Sequence, residues 1–234
     1  MSWSGKFHFG SSYAMYVGTT SDNSLHQHAA FQIAVSRDGH AILCDENSRE
    51  FSGRVVLVRP FVKHKILSHV GLNIIYLDPK SPLLDELVGP LPSDDIHILK
   101  GPISSQLSDG RPCEVLARIK SMSDERSRRG VDLRLESALA ELKGQLGQMS
   151  ISQAAKKCDI SESRLRVIAR EQLGMPLSTW LLWLKLGKAS RALASGSCLS
   201  DAASLGGFSD QAHFCRTMRR MFGVTPGVAE VVLK

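Results

Sequence analysis

The stretch "GFSDQAHFCRTMRRMFGVTP", residues 207–226, is the most informative part of this chain. Phe214, Met218 and Phe222 recur at intervals of four residues, which predicts a helix with one buried face. Gly223 follows directly, as is typical of the residue that ends a helix. Three arginines and one histidine stand among these apolar positions. The other face of the helix is therefore basic, and it is either solvated or meets an anionic partner.

This stretch belongs to the second copy of an internal repeat. The sequence "LSDAASLGGFSDQAHFCRTMRRMFGVTP" aligns with "ISQAAKKCDISESRLRVIAREQLGMPL". The pair Ala202-Ala203 follows Ala154-Ala155 by 48 residues, whereas Phe214 follows Leu165 by 49, so the second copy has one additional residue at its turn. Each copy predicts a helix, a tight turn and a second helix. The small alanines let that second helix cross close to the first, as in a helix-turn-helix.

Polar and apolar positions around the repeat predict its helix boundaries and its core. Ser161 and Ser209 are expected to cap the second helix of each copy. The sequence "STWLLWLKLGKASRALASG" predicts an apolar helix that joins the copies and could hold two recognition helices about one DNA turn, roughly 34 Å, apart. Before the repeat, "DLRLESALAELKGQL" predicts a further helix, whose apolar face is formed by Leu135, Leu139, Leu142 and Leu146.

The two copies resemble the double helix-turn-helix domain of the AraC/XylS transcription regulators over residues 131–234. The resemblance is strongest at residues 207–226, which follow the pattern G-F-x-D-x-x-x-F-x-R-x-F-[KR]-x-x-F-G-x-[ST]-P. The chain departs from that pattern at Met218, where the family usually has Phe, and the exchange keeps an apolar core residue. The resemblance implies that the basic face reads double-stranded DNA.

Helix geometry separates core side chains from those that could touch DNA. Phe214, Met218, Met221 and Phe222 are expected to point inward. The base-contacting positions implied by the resemblance are Ser163, Arg166, Val167, Gln211, Ala212, His213 and Arg216. Arg164 shares the outer face of the first recognition helix. Arg170 and Arg219 lie further along the two helices and are expected to hold phosphates, and Arg220 is a weaker candidate for such a contact.

The first hundred residues predict short strands rather than helices. The segments "KFHFG", "SYAMYVG", "FQIAVS", "HAILCD", "RVVLVRP" and "LNIIYLD" are rich in β-branched and aromatic residues and are separated by Gly, Asp, Asn and Ser. Many short strands at regular spacing favour a sandwich or a small barrel. After residue 112 the period becomes helical in "CEVLARIKSM", and "DERSRRG" indicates a polar linker.

Histidines in the strand-rich half suggest a ligand site. His26 and His28 are two residues apart, so on a strand they share a face, which Gln32 continues. With Gly39 and the later His64, these residues resemble the cupin pattern H-x-H-x3-E-x6-G followed by a histidine segment. Cupins are small double-sheet barrels, and the resemblance covers roughly residues 5–80. It implies that His26, His28 and His64 could hold one transition metal such as zinc.

The chain departs from the cupin pattern where Gln32 replaces the ligand Glu, because a neutral amide is a poorer ligand than a carboxylate. The sequence is compatible with three interpretations of the histidines. They could hold a metal with an open fourth position, form a metal-free pocket for a small-molecule effector, or be structural residues satisfied by hydrogen bonds.

Charge and composition support two domains of different chemistry. Residues 1–130 carry 15 basic and 14 acidic side chains, whereas residues 131–234 carry 14 and 9, and seven of the eight histidines precede residue 100. The five cysteines include no C-x-x-C pair, and the longest apolar run is interrupted by Lys185. The first ten residues lack the apolar core of a signal peptide. These features predict a cytoplasmic protein with no membrane partner.

The predicted fold class is α+β, with a cupin-like sensor domain at residues 1–104, a helical connector at 105–130 and a double helix-turn-helix domain at 131–234. The predicted function is that of a DNA-binding transcription regulator, not an enzyme, which responds to a small-molecule or metal effector. RNA polymerase would be a partner if the protein activates transcription. The connector is expected either to pair with its copy in a homodimer or to lie against the barrel. Two alternatives are a cupin-type metal-dependent enzyme with a helical appendage and a helical adaptor that binds protein.

Overall fold

A computed structural model describes the chain at residues 4–9, 13–21, 23–67, 69–77, 79, 84, 88, 90–101, 104, 105, 107, 114, 117, 132–226, 230 and 231. Most of the predicted connector, including most of "CEVLARIKSM", lies outside these residues. By their contacts, residues group into two compact units, one formed by Met1–Glu125 with Cys215–Lys234 and the other by Arg126–Phe214. Contact units and functional domains need not coincide, so the domain boundaries stay a prediction.

The first unit contains the strands. They are β1 (Ser4–Phe9), β2 (Tyr13–Thr20), β3 (Phe31–Ser36), β4 (Ala41–Asp45), β5 (Glu50–Gly53), β6 (Val55–Val58), β7 (His64–Ile66), β8 (His69–Leu77), β9 (Ile96–Leu99) and β10 (Glu230–Val231). A seven-stranded sheet has the order β10-β1-β2-β8-β3-β6-β9, and a three-stranded sheet has the order β5-β4-β7. All six predicted strands are present. The strands β5, β7, β9 and β10 were not predicted, because they are short and lack a clear alternation of their own.

Alternation along the strands builds the core of this unit. Ile33 and Val35 on β3 pack with Leu57 on β6 and Ile75 on β8, all of them buried. Successive side chains on a strand point to opposite faces, so Gln32 lies on the face of β3 opposite to Ile33. Gln32 is nevertheless fully buried. A buried amide on the second face of the sheet indicates a polar interior there.

The carboxyl-terminal half is helical. Its helices are α1 (Leu133–Gly144), α2 (Ile151–Lys157), α3 (Glu162–Leu173), α4 (Leu177–Ala194), α5 (Leu199–Leu205) and α6 (Gln211–Phe222). Leu135 and Leu142 of α1 are buried and Leu139 packs against them, as predicted. Leu146 was wrongly placed on the same helix, because α1 has already ended at Gly144 and Leu146 lies in the following turn.

The β-rich first half and the helical second half confirm the predicted α+β fold class. The described strands pair into two sheets, and the assignment to the cupins in particular stays a prediction. Cys44, Cys158, Cys198 and Cys215 form no disulfide. Among the described residues, no helix has both the length and the apolar character needed to span a membrane.

Candidate nucleic-acid interface and histidine cluster

The first helix-turn-helix is formed by α2 and α3. A capping box begins α2, with the Ser150 hydroxyl accepting from the Gln153 N–H and the Gln153 side chain accepting from the Ser150 N–H. Ser161 caps α3 as predicted, since its Oγ accepts from the N–H of Arg164 at 3.1 Å. The inner sides of both helices join one core, whose buried members include Ala154, Ala155, Leu165, Ile168, Ala169 and Leu177. This core fixes which side of α3 is left for a partner.

The outer side of α3 carries every residue predicted for it. Ser163, Arg164, Arg166, Val167 and Arg170 are all exposed. Val167 exposes 43% of its surface although it is aliphatic. A shallow groove on this side is lined by Ser163, Arg166, Val167 and Arg170 together with the acidic residues Glu162 and Glu171.

Glu162 also lines this groove, although no sequence pattern singled it out. Its Oε1 accepts from the Nη2 of Arg166 at 2.6 Å and from the Nε at 2.9 Å. The i,i+4 spacing of the two residues was the available signal. Both side chains are more than one third exposed, so this ion pair stabilises the helix only slightly. The pair places the Arg166 guanidinium against the carboxylate of Glu162, four residues earlier on the same helix.

The second helix-turn-helix is formed by α5 and α6, and its cap differs from the prediction. The Oδ1 of Asp210, not the hydroxyl of Ser209, accepts from the backbone N–H of His213, at 2.6 Å. The additional residue in the second turn is the reason, because it places Asp210 four residues before Phe214, as Ser161 stands four residues before Leu165. Ser209 instead donates to the Oδ2 of Asp210 at 3.1 Å.

The two sides of α6 follow the predicted division. Phe214, Met218, Met221 and Phe222 are buried. Gln211, Ala212, Arg216, Arg219 and Arg220 are exposed. His213 is only half-buried, because its ring packs edge-on against Phe208 with centroids 5.2 Å apart. Among the described residues, no carboxylate forms an ion pair with Arg216, so its guanidinium differs from that of Arg166 in being available without a competing partner.

The first unit brings the three predicted histidines together. His26 and His64 pair as an isolated antiparallel bridge, with backbone N–H to carbonyl distances of 2.9 Å in both directions. His28 lies just before β3, and its ring centroid is 5.1 Å from that of His64. All three side chains are buried, and one ligand atom from each lies within 4.8 Å of the others.

Backbone carbonyls determine which nitrogen of each imidazole carries a proton. The Nδ1 of His26 lies 3.1 Å from the Ser24 carbonyl oxygen, that of His28 lies 3.0 Å from Ala30 and that of His64 lies 2.9 Å from Val62. A carbonyl can only accept, so each Nδ1 must donate. Each neutral ring therefore presents its Nε2 lone pair, which is the arrangement that carbonyls impose on metal-binding histidines.

Gln32, to which the cupin resemblance assigns the fourth ligand position, lies beside two of the three imidazoles. Its Oε1 is 3.2 Å from the Nε2 of His28 and 3.2 Å from that of His64. With the tautomers above, three acceptors face one another, which is favourable only if a cation lies among them or if the amide is turned to donate. Within the described residues, the Nε2 atoms of Gln32 and His26 are buried without a hydrogen-bond partner.

Burial keeps the cluster neutral. Desolvation lowers the pKa of His26 from 6.5 to about 3 and that of His28 to about 4, and the neighbouring imidazole of His28 lowers the pKa of His26 further. Burial likewise holds the pKa of His64 well below 6.5. Neutral imidazoles are the form that a metal ion requires, so the residues present fit a transition metal.

The segment that leads into His26 also binds the end of α6, within the same unit. The Nδ2 of Asn23 donates to the Phe222 carbonyl at 3.2 Å, and the Oγ of Ser24 donates to the Gly223 carbonyl at 3.1 Å. Gly223 has φ +73°, and a Cβ there would stand 2.8 Å from the Nδ1 of His26. Carbonyls at the end of a helix have no partner in the helix itself. Asn23 and Ser24 therefore act as the cap of α6, a role that no local pattern indicated.

Comparisons with known proteins concern the helix-turn-helix region and the fold of the chain. Residues 154–229 match a family model described as a helix-turn-helix domain. The structure is similar to an apo point variant of ToxT from Vibrio cholerae strain SCE256, with 14% identity, coverage of 92% of this chain and 96% of that chain, and a TM-score of 0.53. It is also similar to unsaturated fatty acid bound wild-type ToxT from the same strain, with 12% identity, coverage of 95% and 99%, and a TM-score of 0.51.

A shorter likeness involves a transcriptional regulator from Chromobacterium violaceum of the AraC-type DNA-binding domain-containing proteins. The identity is 25%, the coverage is 41% of this chain and 87% of that chain, and the TM-score is 0.38. No curated protein matches the chain. The two ToxT structures show that the fold is shared over nearly the whole chain.

Proposed function

We infer that this chain, which carries an AraC-type helix-turn-helix domain at residues 154–229, is a transcription regulator that binds specific DNA. The observation that supports this most directly is the repeated arrangement of α3 and α6. Each has a buried apolar side and an exposed side of polar and basic residues. A helix held in this way presents its first turns to base edges in the major groove.

The proposed roles follow from side-chain chemistry. Arg166 and Arg216 suit bidentate contacts to guanine, and Gln211 suits adenine. Arg170 and Arg219 lie later on the two helices and suit phosphates. Arg166 must exchange its bond to Glu162 for one to a base, which also makes Glu162 an element of specificity, because its carboxylate repels phosphate and disfavours guanine acceptors.

Two experiments with DNA from upstream of the protein's own gene test this function. A footprint identifies the protected site, and a fluorescence anisotropy titration measures its affinity in competition with random DNA. We expect a protected site and an affinity roughly a thousandfold or more above that for random DNA. A variant that combines Arg166→Ala with Arg216→Ala should lose the protection while keeping weak non-specific binding. Equal affinity of the parent for its upstream region and for random DNA would contradict the proposed function.

We propose that the effector site is the histidine cluster and that it binds one transition metal such as zinc. The support is the convergence of three Nε2 lone pairs, each oriented by a backbone carbonyl. Tetrahedral zinc with Zn–N bonds of roughly 2.1 Å separates its ligands by about 3.4 Å. The three ligand atoms lie within 4.8 Å of one another, so a movement of about one ångström would close the site.

Dialysis against zinc followed by elemental analysis tests the metal site. We expect one equivalent in the parent, none in His26→Ala, and one in His40→Ala, whose exposed imidazole is the matched control. Gln32→Glu should raise the affinity, because it supplies the charged ligand that the cupin pattern has at this position. Absence of metal from both the parent and Gln32→Glu would leave a metal-free organic effector as the alternative. ToxT has been crystallised with an unsaturated fatty acid bound.

Metal binding at the histidine cluster could change the affinity for DNA through the cap of α6. His26 belongs to the cluster, and its Nδ1 meets the Ser24 carbonyl, while Ser24 binds Gly223. A metal that reorients His26 would move this cap, and it would change DNA affinity only if it prefers one arrangement of the cap over another. Comparing the DNA affinity of the parent and of Ser24→Ala, each with and without zinc, measures the coupling.

Four further parts of the proposal concern partners, location and chemistry. We propose a cytoplasmic protein that acts on transcription, with RNA polymerase as a partner if it activates. We propose that the protein forms a homodimer through the connector. Sedimentation at micromolar concentration, with and without zinc and DNA, tests this, and a strict monomer under every condition would contradict it. We propose no catalytic role, because Gln32 replaces the carboxylate of the metal-dependent cupin pattern.

A further inference from the structure

A polar groove in the second unit contains two lysines to which the proposed function assigns no role. It lies where the turn after α1 meets α4 and the turn between α5 and α6. Its polar lining consists of Gln148, Lys185, Lys188, Ser204, Ser209 and His213. No carboxylate is among the residues that line it, so the groove suits an anion and not a cation.

Glycines allow the groove to form. Gly147 and Gly207 both have positive φ, at +86° and +77°, and a Cβ on Gly147 would stand 2.6 Å from the Cα of Gly207. Gly206 packs in the same way against α4, because a Cβ there would stand 2.7 Å from the Cβ of Ala189. The turn before α6 can therefore lie directly on α4, beside the two lysines. Larger residues at these positions would separate the elements that form the groove walls.

The groove contains the ammonium groups of two lysines, Lys185 and Lys188. Among the described residues, no carboxylate forms an ion pair with Lys185 or Lys188. The Lys185 ammonium lies 5.9 Å from the centroid of the Phe208 ring, and burial lowers its pKa. The carboxylate of Asp210, next to the groove, already accepts from the N–H of His213 and the hydroxyl of Ser209. A partly desolvated ammonium without a counter-ion binds an incoming anion more strongly than a fully hydrated one does.

We propose that this groove binds a phosphate of the DNA backbone next to the site read by α6, with Lys188 and Lys185 as the cationic contacts. The proposal rests on the proposed function. His213 belongs both to the groove and to the predicted base-reading side of α6, so a strand whose bases meet Gln211 and Arg216 would pass its backbone by the lysines. Lysine acts as a point charge towards phosphate, and the hydroxyl of Ser204, which also lines the groove, supplies a neutral donor.

The test combines protein variants with DNA in which single phosphates are replaced by neutral methylphosphonates. In the parent, we expect one replacement, at a phosphate beside the bases that α6 contacts, to weaken binding. The loss of one phosphate contact predicts a decrease in affinity of about eightfold at about 0.1 M salt. Lys188→Gln should weaken binding by a similar factor on unmodified DNA, for specific and random sequences alike. In this variant, the slope of the logarithm of affinity against the logarithm of salt concentration should be smaller in magnitude by about 0.9. The same methylphosphonate replacement should no longer change the affinity of the variant. Lys143→Gln, an exposed lysine outside the groove, is the charge-matched control and should retain the parental response to every replacement.

Three outcomes separate the possibilities. If the parent shows no specific DNA binding at all, the proposed function fails, independently of the groove. If the parent binds a footprinted site but Lys188→Gln keeps the parental salt slope and the same methylphosphonate sensitivity, the groove proposal is wrong. If inorganic phosphate raises the melting temperature of the parent but not of Lys188→Gln, while no methylphosphonate distinguishes the two proteins, the groove binds a free anion and the DNA assignment is overturned. Lys185→Gln provides a second test, with circular dichroism to confirm that it folds.

Discussion

Replacing Asn23 by alanine should destabilise the protein far more than its position in a short polar loop would suggest. Asn23 is 8% exposed. Its Oδ1 accepts from the N–H of Ile66 at 2.7 Å, and its Nδ2 donates to the carbonyl of Phe222 at 3.2 Å. Alanine would leave both backbone groups without these bonds. Each hydrogen bond lost from such a buried site costs about 1–3 kcal/mol, so the loss of both predicts a decrease of about 2–6 kcal/mol in the free energy of unfolding.

Two companion variants make the reasoning specific. Ser24→Ala removes one hydroxyl, but the Gly223 carbonyl keeps its bond from the Ser24 N–H at 3.3 Å, so the loss should be only about 0.5–1.5 kcal/mol. Asn23→Asp keeps the acceptor for Ile66 but places a carboxylate oxygen against the Phe222 carbonyl. Because two acceptors then face each other in a buried site, Asn23→Asp should cost at least as much as alanine.

Urea denaturation followed by far-ultraviolet circular dichroism measures the free energies of unfolding of the parent and of the three variants. The expected order of stability is the parent, then Ser24→Ala, then Asn23→Ala, with Asn23→Asp equal to or below Asn23→Ala. A loss below about 0.5 kcal/mol for Asn23→Ala, or a fully stable Asn23→Asp, would refute the conclusion that this amide caps the end of α6.

Three further predictions concern pH, DNA and backbone geometry. The unfolded chain takes up protons on His26, His28 and His64 near pH 6.5, whereas burial lowers the pKa of each in the folded state. The metal-free protein should therefore be most stable above about pH 6.5 and lose about 1.4 kcal/mol per pH unit for each of these histidines as the pH falls towards about 4; equal free energies of unfolding at about pH 7.5 and about pH 5.5 would contradict this. Arg166→Ala and Arg216→Ala should each weaken specific binding by about 1–3 kcal/mol, whereas Arg219→Ala should weaken all sequences alike and reduce the salt slope by about one, as measured by anisotropy at several salt concentrations. Gly223→Ala should cost about 1–3 kcal/mol or more, because its φ is +73° and its Cβ would stand 2.6 Å from the Nδ2 of Asn23; an unchanged melting temperature would show that the turn can relax.

The helical half was predictable because its signals are local. Phe214, Met218 and Phe222 recur with the helical period, and both copies of the repeat predict the same order of helix, turn and helix. The exceptions have physical causes. Leu146 fits the period but lies beyond the point where the helix ends, and Asp210 competes with Ser209 as a cap, since both can accept a hydrogen bond and only the position of the turn decides between them.

The strand-rich half was predictable in its long strands and not in its short ones. The segments of β3 and β8 are apolar enough to be recognised alone, whereas β7 has three residues and β10 has two. Such short strands exist because a neighbouring strand offers its free N–H and carbonyl groups. That condition depends on pairing partners far away in the sequence.

Both candidate sites can be located from the residue order alone: basic and polar side chains recur on one side of two repeated helices, and three histidines follow a recognisable spacing. Periodicity and spacing carry that information, because they act between residues that are close in the chain. How those residues are held depends on contacts between distant parts of the folded chain. The Nδ1 protons of the histidines, the meeting of Gln32 with two of the rings, and the capping of α6 by Asn23 some 199 residues away all arise from hydrogen bonds that the folded chain brings about. Buried polar groups must find partners wherever the fold brings them, and no local pattern specifies those partners.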